Sequence, residues 1–146
     1  MKINVSRIIS HAGEPIAESA SVKAYRALID GNERMAKLVL CKMYFDGYWT
    51  GIRIRSTDEI VAEIYKERGL RKPANAAESD IAIVRAAVNR RVVNHIAMAK
   101  DILKNGMKVR PQGKMEGSLL RLYDGYNRAA LMVAAGNSDI DIDISK

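Results

Sequence analysis

The sequence predicts a mainly α-helical fold carrying a small β element, and three observations lead there. Apolar residues recur at three- and four-residue spacing over most of the chain. Strict alternation is confined to short pieces near residues 52–55, 107–110 and 118–123. Gly, Asn, Asp and Pro separate these segments, as turn chemistry requires.

Taken in order, residues 2–9 (KINVSRII) fit either a strand or an arm within 1–15. From Ile16 to about Leu28 the spacing of Ile16, Ala20, Ala24, Ala27 and Leu28 is helical, and Asp30-Gly31-Asn32 supplies a stop and a new N-cap. Residues 33–45 form a second helix with apolar groups at Met35, Leu38, Val39, Met43 and Phe45, closed by Asp46-Gly47. Ile52 and Ile54 then alternate with Arg53 and Arg55, the period of a half-buried strand. Ser56 and Glu59 have capping-box spacing for a helix from about Thr57 to Gly69, with Ile60, Val61 and Ile64 as its buried stripe.

Residues 71–78 (RKPANAAE) read as a polar connector, after which Asn75 with Glu78, or Ser79 with Asp80, caps a long helix ending near Lys104. Its apolar face collects Ile81, Val84, Val88, Val92, Ile96, Ala99, Ile102 and Leu103, and Arg90, Asn94, Ala97, Asp101 and Lys104 fall opposite. MKVR (107–110) and SLLRLY (118–123) alternate as two short strands around a loop, PQGKMEG. A terminal helix spans Tyr126 to Ala135, and the tail GNSDIDIDISK separates three Ile from three Asp by alternation. That tail suits an edge strand added to this chain or to a second copy.

With 146 residues and a composition 48% hydrophobic and 28% charged, the chain suits one folded domain over 1–146. The single cysteine, Cys41, excludes an internal disulfide and favours a reducing, cytoplasmic setting. The N-terminal stretch has no apolar run of the signal-peptide kind, and no segment approaches the roughly 20 apolar residues of a membrane span. The formal charge of +7 is concentrated: residues 79–128 hold ten Lys/Arg against four Asp/Glu, whereas residues 129–146 hold one against three. A local cationic excess of this kind is the footprint of a polyanion-binding surface.

Chemistry-bearing motifs are weak by comparison. His11 and His95 are the only histidines, and His95 sits near the apolar face, where a hydrogen-bonded packing role is expected. One Cys and two distant His give no metal spacing. Cys41 reads as a small buried hydrophobe, and Tyr44, Tyr48 and Trp49 as a core corner. The DIDIDIS tail lacks the Gly and distal Glu of a calcium loop. Neither a phosphate loop nor a nucleophile motif is present, so an enzyme, a cofactor and a bound metal are not expected.

The order helix, strand, helix, helix, strand, loop, strand over residues 33–126 resembles a winged helix-turn-helix domain, a mainly α fold with a two- or three-stranded β-wing. The resemblance implies a groove-facing helix bearing Arg85, Asn89, Arg90 and Asn94, and a wing that places Lys108, Arg110 and Lys114 on phosphates. It further implies a sequence-specific double-stranded DNA-binding protein, a transcriptional regulator that pairs as a homodimer over two half-sites. Two alternatives stay open: a non-enzymatic phage- or plasmid-type protein that modulates a host protein complex, and a replication or packaging factor. The acidic, Ile-bearing tail, 137–146, would then support a dimer or tune DNA affinity.

Overall fold

In a computed structural model, the residues described are 1–46 and 77–145. The expected strand at 52–55, the helix from Thr57, Tyr48, Trp49 and residues 71–76 of the expected connector lie outside them, whereas its last two residues, Ala77 and Glu78, are already helical. Among the described residues are four helices, α1 (Ala20–Ile29), α2 (Glu33–Asp46), α3 (Ala77–Asn105) and α4 (Tyr126–Ala134). Six short strands accompany them: β1 (Lys2–Asn4), β2 (Ile8–Ile9), β3 (Gln112–Glu116), β4 (Leu119–Asp124), β5 (Asp139–Asp141) and β6 (Asp143–Ser145). The chain is mainly helical, with its strands in two small sheets.

Local chemistry explains the helix starts. Ser19 accepts the backbone N–H of Val22 and so starts α1 four residues later than the apolar spacing suggests, with a single 3-10 turn over Ile16–Glu18 before it. Asn32 accepts the N–H of Met35 at 3.1 Å and caps α2. On α2 the buried line is Ala36, Leu40 and Tyr44, at intervals of four, while Met35 and Leu38 are exposed. The stripe read from the sequence mixed these two sides because the helix is apolar over more than its buried face.

α1 packs against both α2 and α4, and α3 lies along α2. The partners Glu33 with Lys100 and Tyr44 with His95 show α2 and α3 running antiparallel. Val88, Val92, Ile96, Ala99 and Ile102 are buried as the periodicity predicts, whereas Leu103 at the helix end is exposed.

The larger sheet has the order β2-β4-β3-β6: β3 and β4 form an antiparallel hairpin, and β2 and β6 flank it in parallel. Leu120 and Leu122 of β4 enter the core and Arg121 and Tyr123 turn outward, as their alternation requires. The first hairpin strand is not at 107–110. Those residues bend, with Val109 exposed, and pairing begins only at Gln112. Gly113 marks the reason, since a Cβ there would stand 2.6 Å from the Leu120 side chain and 2.8 Å from the Arg121 carbonyl oxygen. A glycine that reads as loop is a close-packing strand position.

Both chain ends belong to this core. β1 pairs antiparallel with β5, setting Ile3 opposite Ile140, both buried. β6 adds to β3, and Ile142 between the two tail strands is wholly buried. The tail thus docks on its own chain. The hairpin expected as a small two- or three-stranded wing is the centre of a four-stranded sheet.

Candidate nucleic-acid interface

The middle of α3 is fixed by a polar cluster to which all four described helices contribute. Tyr25 of α1 donates to Asn127 Oδ1 of α4 at 2.9 Å, and Tyr44 of α2 donates to the same oxygen at 3.2 Å. The Tyr44 hydroxyl also lies 2.6 Å from Nδ1 of His95 on α3. With its single proton given to Asn127, Tyr44 accepts from an Nδ1-protonated His95, and every partner is satisfied. The Arg91 guanidinium covers the Tyr44 ring at 4.2 Å from its centroid. Burial drives the Tyr25 phenol far above its ordinary value, and burial followed by the nearby Arg91 charge pushes His95 below its own.

Arg91 and His95 each follow directly after a candidate site residue. Anchoring them inward therefore turns Arg90 and Asn94 outward, since successive helical residues are about 100° apart. Arg90, Asn94, Ala97, Asp101 and Lys104 are all exposed and share that outward side. Among the described residues, Arg90 and Lys104 make no ion pair, and Asp101 accepts a hydrogen bond from the Asn105 amide at 2.8 Å. From Arg90 to Lys104 the row extends about 21 Å along the helix axis. Lys108 continues the exposed cations past the helix end.

The other candidates are distributed differently. Arg85 and Asn89 are exposed on the flank towards α2, where Cys41 Sγ approaches Asn89 Oδ1 at 3.7 Å, so they do not share the Arg90 and Asn94 face. Cys41 itself is half-buried at that seam. Arg110 is held by the tail, with Nε 3.5 Å from Asp141 and Nη1 3.3 Å from Asp143. Lys114 is exposed on β3, directly opposite Arg121 in the ladder. Arg121 makes a two-pronged contact with Glu116, both legs 2.9 Å, and also donates to the His11 carbonyl.

The structure thus brings Arg90 and Asn94 onto one face and sets Lys108 at its end. It separates Arg85 and Asn89 from them and ties Arg110 to carboxylates. Sequence reasoning set Lys104 on the same side of the helix as Arg90 and Asn94 but left it out of the candidate site, although that position was a usable signal. It also missed Arg91 and Asn127, whose roles depend on helices brought together only by folding.

Comparison with protein-family models, with curated proteins and with solved structures finds no match to this chain. No helix among the described residues is long and apolar enough to cross a membrane.

Proposed function

We propose that this protein binds double-stranded DNA, as a non-enzymatic transcriptional regulator of the winged-helix type acting in the cytoplasm. In this reading α3 faces the groove and the β3–β4 hairpin meets phosphates. The observation that carries it is the outward row of α3, where Arg90 and Lys104 stand about 21 Å apart with no acidic partner among the described residues and Lys108 follows. A compact anion would touch one of these cations. A duplex, with phosphates repeating along its whole length, can engage them together, and counterion release rewards each contact.

Roles divide along that row. Arg90 and Asn94 are one turn apart, carry the fork and amide groups that pair with guanine and adenine edges, and are the base-reading pair. Lys104, Lys108 and Lys114 are point charges suited to phosphates. Titration of fluorescent duplexes by anisotropy at increasing salt tests the reading. Affinity is expected to fall with a log-log slope of about −0.9 per phosphate neutralised. A protein that binds no duplex at low salt refutes it and turns attention to the exposed apolar groups Val93 and Leu38, 58% and 56% accessible, as contacts for a protein partner.

A further inference from the structure

We propose that the C-terminal strands β5 and β6 are a built-in competitor for DNA, in which tail carboxylates occupy a wing cation that a phosphate would otherwise take. The inference rests on the DNA-binding reading above and adds a regulatory contact to it.

Three features of the fold place the carboxylates. Ile140 and Ile142 are buried, so alternation holds Asp139, Asp141 and Asp143 on the opposite side. Backbone pairing fixes their height along the sheet: the Asp143 N–H donates to the Pro111 carbonyl at 3.0 Å, and Asp143 lies beside Gln112 in the parallel ladder. The bend at 107–110 then delivers Arg110 to them, giving the contacts of 3.5 Å to Asp141 and 3.3 Å to Asp143. Lys114 is two residues along β3 from Gln112 on the same outer face, beside Ser145 of β6.

The geometry is that of a displaceable mimic. All three partners are substantially exposed, with side-chain accessibilities of 54% for Arg110, 39% for Asp141 and 56% for Asp143, so water and salt weaken the pairs. A phosphate can replace the carboxylates without opening the core, because Ile140 and Ile142 keep the tail in place. Asp141 has a second duty: it accepts from the Met1 amino group at 2.9 Å, and this contact, more than Arg110, holds its carboxyl below the usual carboxylate pKa. Asp143 is therefore the cleaner residue to change.

The test is a double-mutant cycle on duplex affinity at low salt, using Asp143→Asn, Arg110→Gln and the pair. Asp143→Asn should tighten binding about two- to fivefold, the span expected for an exposed ion pair. That gain should vanish when Arg110 is already Gln. An equal gain in the Arg110→Gln background, or no gain at all, overturns the competitor, since the acids would then act only through the general field or not at all. The Arg110 Nη resonance, followed by NMR without DNA, gives an independent readout, since Nη1 is the atom that meets Asp143: it should shift in Asp143→Asn, and an unmoved signal also overturns the contact. If the resonance shifts but no duplex binds to the wild type, it is the DNA reading that fails and the ion pair that survives.

Discussion

The outward row of α3 and the hairpin-tail end of the molecule hold cations of the same kinds, yet their surroundings differ. On α3, Arg90 and Lys104 make no ion pair among the described residues. At the hairpin, Arg110 meets Asp141 and Asp143, and Arg121 meets Glu116. The difference teaches that the +6 carried by residues 79–128 is not one surface. Part of it is set out for a polyanion, and part is already matched, Arg110 by carboxylates from strands distant in sequence and Arg121 by Glu116 of its own hairpin. A charge count along the chain adds these together; only the fold separates them.

The largest expected effect comes from abolishing what keeps the two regions unlike, the seating of the tail. Ile142 is wholly buried, and Ile142→Ala removes three carbons from a packed site. It should cost about 2–5 kcal/mol in urea unfolding, the range for such truncations. The variant that remains folded should show weaker matching of Arg110, because its carboxylates ride on the same strands. A loss below about 1 kcal/mol would mean that the tail contributes little to the core, and the contrast between the regions would fall with it.

How much of this was legible in the sequence depends on the range of the interaction involved. The second hairpin strand was legible because Leu120 and Leu122 alternate with Arg121 and Tyr123, and alternation is a local consequence of the pleat. The long helix and the terminal helix were legible in the same way, within a residue or two at the ends that can be compared. The first hairpin strand was misplaced because Met107, Lys108, Val109 and Arg110 alternate equally well, and what shifts pairing to Gln112 is the tight fit of Gly113 on Leu120. The core side of α2 was blurred because Met35 and Leu38 satisfy the same periodicity as the buried Ala36 and Leu40. Of the candidate site, Arg90 and Asn94 could be placed by helical phase alone. The commitment of Arg110 could not, since its partners lie some thirty residues later and arrive through strand pairing. Nor could the cluster of Tyr25, Tyr44, His95 and Asn127, which exists only where helices meet.

That cluster supplies the next prediction, because it orients the free row. The pKa of His95 is held below its ordinary value by burial first and by Arg91 second, so the folded state favours neutral imidazole. The unfolded chain takes up a proton near pH 6.5. Stability should therefore be full above that value and decline as pH falls through it towards the folded-state constant, since the unfolded state then binds more protons. Comparing urea midpoints between pH 7.5 and 5.5 for the wild type and His95→Gln isolates the contribution. A decline of equal size in both proteins would assign the effect to other groups. The facing ionisable neighbours, Tyr25 and Tyr44, stay protonated throughout this window because burial raises both, which leaves Arg91 as the fixed charge opposing imidazolium.

The finest distinction is between two single arginines. Arg90→Ala removes a cation with no acidic partner among the described residues, so each phosphate it neutralises is lost outright and the salt slope of DNA binding should shrink by about 0.9. Arg110→Ala removes a cation already shared with Asp141 and Asp143, whose phosphate contact would only exchange one anion for another. Its slope change should be clearly smaller, although the side chains have the same charge and both lie in the basic half of the sequence. Anisotropy titrations at four or five salt concentrations resolve a difference of this size. Equal changes for the two variants would show that phosphates displace the tail carboxylates at no cost, and the division between free and committed cations would then carry no weight in binding. A larger change for Arg110 would reverse the assignment and move the phosphate contacts from the row on α3 to the hairpin.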